Sequence, residues 1–276
     1  AVTGVQTCAL PICIFLVNLI CAGIFSSGLI TFSRAQPRPW LVMAVAAPYL
    51  ITVVAMGYTR QGVAIGLSMI AMTALQKGST FRFLLWLFAA ALFHKTAIIL
   101  APIAILTGSN RWYISIPTVG LAGGLMFLLL LQESVDGLVR NYVEAEYESS
   151  GAAIRVMMNA IPSVIFLLLR RRFSLSTIHC RFWTWMALSG IALVGLLIFS
   201  PSSTAVDRVA LYWIPIQLFV LSRLPDVLGR PGRSNAKWVL LVLAYSLAVL
   251  LSWLLFATHS FAWLPYRFYP WEQLWL

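Results

Sequence analysis

The sequence predicts an all-α polytopic membrane protein with about 9–10 transmembrane or half-spanning helices. Three observations carry that prediction. The chain is 61% hydrophobic and only 10% charged, whereas a soluble domain carries roughly a quarter charged residues. Its apolar runs, such as 182–199 and 238–257, are continuous rather than alternating, which excludes the dyad pattern of a membrane β-barrel. Most runs are apolar all the way round, so they are covered by lipid or by other helices.

The apolar segments fall at 13–32, 40–56, 62–76, 83–93, 96–106, 113–131, 156–169, 182–199, 209–222 and 238–257. Spans shorter than about 20 residues are tolerated by local thinning of the bilayer. The stretch 83–106 is long enough for one helix, yet His94 and Lys95 stand in its middle. If it is broken there and crosses twice, 13 of the 19 basic residues fall on one side, including Arg170–Arg172, Arg223, Arg230 and Arg233. Only Arg60, Lys95, Arg140, Arg155, Arg208 and Arg267 fall on the other. The bias fits enrichment of Lys and Arg in cytoplasmic loops; a non-spanning 62–76 segment would give the same parity. Trp40, Trp112, Trp238, Trp263 and Tyr266 stand near span ends, as interfacial aromatics do.

The first dozen residues resemble translated adapter sequence and lack an initiator Met, so 1–12 is set aside as an unreliable, truncated start. Residues 13–276 are expected to form one membrane domain, with an outer loop over about 132–155. That loop holds five of the eight acidic residues and reads as a polar lid or in-plane helix. The net charge of +11 is dispersed among loops, with no basic face interleaved with aromatics, which excludes a nucleic-acid partner. Neither a metal site nor a cofactor is indicated. His94, His179 and His259 lie apart, and the four cysteines form no C-x-x-C pair. Nucleotide-binding loops are missing too.

The six outer cations are not needed to set topology and sit at the mouths of apolar segments. A charge in hydrocarbon costs at least a few kcal/mol and marks a site or a wet cavity. Arg60 and Gln61 precede Gly62 and Gly66, whose spacing permits close helix packing. Arg60 either snorkels or grips a phosphate with its fork, and Gln61 would add a hydrogen bond. His94 either caps a helix break or transfers a proton near neutral pH. Asp207 and Arg208 follow Ser200-Pro-Ser-Ser-Thr204; the Thr204-x-x-Asp207 spacing suits a capping box. The pair could instead offer a carboxylate to a sugar hydroxyl and a cation to a phosphate. Arg140 and Arg155 bound the acidic loop, and Arg155 opens the next span.

Four short words in order resemble the EpsG family of bacterial exopolysaccharide polymerases, relatives of Wzy-type polymerases. They are Tyr58-Thr-Arg-Gln-Gly-Val-Ala64, Leu92-Phe-His-Lys-Thr-Ala97, Tyr147-Glu-Ser-Ser-Gly151 and Asp207-Arg-Val-Ala-Leu-Tyr212 with Pro215. Arg140 and Gly151 also stand ten residues apart, a spacing some such polymerases show. Members usually begin with additional helices and an outer loop that this chain does not show.

The resemblance implies glycosyl transfer at the extracytoplasmic face of the bacterial inner membrane. The glycan would leave undecaprenyl diphosphate for a hydroxyl of the next lipid-linked repeat. Partners would be that lipid-linked oligosaccharide, the bilayer, and polysaccharide export and chain-length proteins. Arg60, Arg155 and Arg208, with Gln61 and Arg140 beside them, would bind substrate, and His94 or Asp207 would serve the acceptor hydroxyl. Two other classes stay open. A transporter or flippase would use broken helices without bond making, and a membrane acyltransferase would use His94 as base.

Overall fold

The computed structural model describes residues 4–107, 120–121, 124, 151–200, 202–230, 232–257 and 260–264. Among them every regular element is helical. Elements are numbered here in chain order over these residues. The expected span 113–131, apart from residues 120, 121 and 124, and residues 132–150 of the loop that follows it, with Arg140, lie outside the described residues. Arg267 does too.

Five helical stretches are long and apolar enough to cross a membrane: Ile14–Arg34, Ala152–Phe173, Thr177–Phe199, Ser203–Leu228 and Ala236–Phe256. Pro39–Ala55 and Thr80–Phe93 are shorter apolar helices. The protein is a multi-pass, all-α membrane protein.

Helix α1 (Gly4–Arg34) leads into α2 (Pro39–Ala46), which opens with proline in its first turn, where the missing N–H costs nothing. The chain then widens into a π-helix over Ala47–Ala55. Pro48 stands at its start and cannot donate to the ladder. The wider turn lets the Thr52 hydroxyl donate back five residues to the Ala47 carbonyl at 2.8 Å.

Helix α3 (Thr59–Gln76) is the centre of the bundle, with fourteen of its eighteen residues buried. Its glycines explain how. A Cβ on Gly66 would lie 2.8 Å from the Phe25 Cα, and one on Gly28 would overlap the Gly66 carbonyl. A Cβ on Gly62 would press on the Ala55 Cα at 3.0 Å. The small-residue spacing therefore does set two crossings, with α1 and with the π segment, and backbones approach as they do in membrane helix pairs.

Helix α4 (Thr80–Phe93) is capped by Ser79, whose hydroxyl accepts from the Arg82 amide. It ends at His94, which is extended at φ −150° and ψ 108°. A 3-10 helix follows over Lys95–Leu100, then α5 (Ala101–Thr107). The break predicted at His94 is present. Helix α6 (Ala152–Leu169) starts after Gly151, whose φ of 82° is left-handed and suits glycine. It begins four residues before the expected span, so Arg155 lies in its first turn. Helix α7 (Thr177–Phe199) is capped by Ser176.

The expected 209–222 span is longer and is divided. Helix α8 (Ser203–Ala210) gives way to a 3-10 turn over Leu211–Trp213 and then to α9 (Ile214–Leu228). Pro215 stands in the first turn of α9 and lacks the N–H that would keep the ladder continuous. The capping-box expectation for Asp207 is overturned. Ser202 is the N-cap and accepts from the Ala205 amide at 3.4 Å, while Asp207 is the fifth residue of α8. Helix α10 (Ala236–Phe256) closes the described bundle and exposes Leu240, Leu247, Leu251 and Leu255, the face expected of a helix against lipid.

Candidate active site

The start of α8 is where the polar groups meet. Arg155, one turn into α6, reaches Asp207 with both arms of its fork, Nε to Oδ1 at 2.6 Å and Nη2 to Oδ2 at 2.8 Å. Their side chains are 20% and 13% exposed. A bidentate pair of this kind is directional as well as charged. A Cβ on Gly151 would stand 3.3 Å from Arg155 Nη1, so glycine at the α6 cap leaves the guanidinium its room.

Helix α3 approaches the same turn. Gln61 is buried, and its Nε2 donates to the Arg208 carbonyl at 2.8 Å. Arg60, beside it, is exposed and has no hydrogen bond or ion pair among the described residues. From α4, His94 Nδ1 shares a hydrogen bond of 3.1 Å with the Tyr212 hydroxyl, donor and acceptor following the imidazole tautomer. His94 lies between the apolar segments rather than within one. Burial, then the nearby Arg208 and Arg60 charges, hold its imidazole below the ordinary range. It is therefore neutral at neutral pH and able to accept a proton.

Below this layer two amides form a chain. Gln217 Nε2 donates to Asn159 Oδ1 at 2.7 Å, and Asn159 Nδ2 donates to the Ala210 carbonyl at 2.8 Å. Ala210 is the last residue of α8. Asn159 thus satisfies a backbone acceptor at the point where the helix is interrupted, which hydrocarbon would otherwise penalise.

Six residues singled out from sequence can be placed, and all belong to this end of the bundle: Arg60, Gln61, His94, Arg155, Asp207 and Arg208. Gln61 differs from expectation in that its amide holds backbone. Arg155 differs in that it grips Asp207. The sequence reading missed Tyr212, Asn159 and Gln217. The signal for the last two was present, since an amide inside an apolar run needs a partner. Among the described residues no three His, Cys, Asp or Glu side chains gather as a metal site would require.

A multi-pass helical protein with an Arg–Asp pair, a neutral histidine and two further arginines at one end defines a class: a membrane protein with a built, cationic polar site. The EpsG family model matches residues 11–268, nearly the whole chain, and the chain belongs to the EpsG family, whose members are polysaccharide-polymerase-like membrane proteins. No curated protein and no solved structure matches it significantly.

Proposed function

We propose that the protein polymerises lipid-linked oligosaccharide repeats into an exopolysaccharide at the extracytoplasmic face of the bacterial inner membrane. The observation that supports this reading best is the grouping of Arg60, His94, Arg155, Asp207 and Arg208 in a chain of this family.

The reaction breaks the bond between the anomeric carbon of the growing glycan and its diphosphate oxygen. It forms a bond from that carbon to an acceptor hydroxyl oxygen, and undecaprenyl diphosphate leaves. Arg60 and Arg208 bind the diphosphate and stabilise the charge that develops on it, as fixed cations do in a site shielded from water. Arg155 holds Asp207 in place with both arms of its fork, so that its carboxylate orients the acceptor sugar. His94 takes the hydroxyl proton, with Tyr212 setting its ring. Gln61 holds Arg208 through its carbonyl, and Arg140 is assigned to substrate binding on the sequence pattern alone.

The test is the glycan carried on undecaprenyl diphosphate in the native host, sized by gel and mass spectrometry. Arg60→Ala and Arg208→Ala should abolish long polymer and accumulate single repeats outside the membrane, at unchanged protein level. Normal polymer from both variants would overturn the phosphate role. Repeats trapped inside would identify a flippase instead, and full-length polymer lacking an acyl group would identify an acyltransferase.

A further inference from the structure

The opposite end of the bundle holds a second polar cluster that this chemistry does not use. Arg223, near the end of α9, is half buried; its Nε donates to Gln36 Oε1 at 3.1 Å. Its guanidinium lies over the Phe219 ring, 4.9 Å from the centroid. Phe219 in turn stacks on Trp183 of α7 at 3.9 Å. His179 lies one turn before Trp183 on α7, and Arg223 one turn after Phe219 on α9. Because the helices run in opposite directions, the stack brings the imidazole towards the guanidinium. The His179 ring lies within electrostatic reach of both Arg223 and the Gln76 backbone at the end of α3. The side chain of Gln76 is 9% exposed and its Nε2 has no acceptor.

The charge here is only partly compensated. Asp226, one turn beyond Arg223, is held by Arg38, Nε to Oδ2 at 3.0 Å and Nη2 to Oδ1 at 2.8 Å. Asp226 and Asp207 are the carboxylates among the described residues, and Asp207 belongs to the other end. Arg223 therefore shares Asp226 with Arg38, which holds that carboxylate by two hydrogen bonds. Among the described residues the Arg223 Nη atoms make no hydrogen bond, and the buried Gln76 Nε2 has no acceptor. Donors of this kind call for an oxyanion, and the guanidinium fork matches phosphate.

We infer that Arg223 and Gln76, flanked by His179 and Gln36, form a binding site for a phosphate group at the basic end of the bundle. The phosphate belongs either to an anionic lipid headgroup of that leaflet or to a soluble phosphate compound. The exposed Arg170, Arg171, Arg172 and Arg181 share this end and raise the local concentration of either.

The experiment uses the full chain in nanodiscs of phosphatidylcholine with and without phosphatidylglycerol. Retained lipid is counted by mass spectrometry after ejection, and thermal unfolding is followed with added inorganic phosphate. One phosphatidylglycerol kept by the parent chain, and bound at least about tenfold more weakly by Arg223→Gln, identifies a lipid headgroup. A stabilising shift with inorganic phosphate, lost in Arg223→Gln and without preference for phosphatidylglycerol, identifies a soluble ligand. Gln76→Leu removes only the buried donor and keeps the helix, so it tests the site even if Arg223→Gln fails to fold; several-fold weaker binding is expected. Arg170→Gln with Arg171→Gln should leave the bound phosphate in place. Unchanged binding in either Arg223→Gln or Gln76→Leu overturns the inference.

Discussion

Two bidentate Arg–Asp pairs stand at opposite ends of the same interrupted helix, and they are not alike. The inner pair, Arg38 with Asp226, is embedded in backbone. Arg38 also donates to the carbonyls of Arg233 and Ser234, and Asn235 bonds both the amide and the carbonyl of Arg230. That pair ties the start of α2 to the connector after α9. The outer pair, Arg155 with Asp207, joins the first turn of α6 to the middle of α8, next to Arg208. The same geometry thus fastens a loop at one end and, in the function proposed, orients a carboxylate for the acceptor sugar at the other. The lesson is that an ion pair's role follows from its neighbours and not from its own distances.

Charge exchange should separate the two most strongly. Reversing the outer pair, Arg155→Asp with Asp207→Arg, should keep the protein in the membrane and abolish polymer. Reversing the inner pair, Arg38→Asp with Asp226→Arg, should retain most polymer per molecule of protein. Equal loss in both exchanges would mean that both pairs are structural. Single neutralisation comes next. Breaking a buried pair costs about 3–5 kcal/mol, so Asp226→Asn should lower the amount of folded protein, read by protease resistance in membranes. Asp207→Asn should cost polymer out of proportion to any loss of protein.

Asn159→Leu has a smaller expected effect. It leaves the Ala210 carbonyl and the Gln217 amide unpaired, at about 1–3 kcal/mol, and the helix interruption should loosen. Hydrogen exchange at residues 211–213 would then rise while the inner end stays protected. The smallest effect is in pH. Because burial and two cations lower the His94 pKa, neutral imidazole persists below the ordinary histidine range. The acid limb of polymer formation should fall below about pH 6.5. In the purified protein, followed by NMR, replacing Arg60 with Gln should move the His94 titration upward. A His94 titration unaltered by that change would remove Arg60 from the histidine's surroundings.

Much of the architecture was legible in the sequence because hydropathy reports where helices lie. The break at His94, the close packing at Gly62 and Gly66, and the polar mouths at Arg60 and Asp207 all follow from local pattern. Facing was not legible. Arg155 and Asp207 are 52 residues apart, and only the rotation of α6 against α8 joins them. The same holds for Arg38 with Asp226 and Arg223 with Gln36, each spanning more than 180 residues of chain. Local rules also left a capping role open for Asp207, which Ser202 fills instead.

The three-residue turn at Leu211–Trp213 divides one traverse into parts with separate obligations. The eight residues before it carry the charged pair Asp207 and Arg208; most of the fifteen after it are buried in close packing. With the join secured by Asn159, a change in glycan preference under the proposed function would need only a handful of codons upstream of the turn. The part that holds the protein together in the membrane would not have to be rewritten.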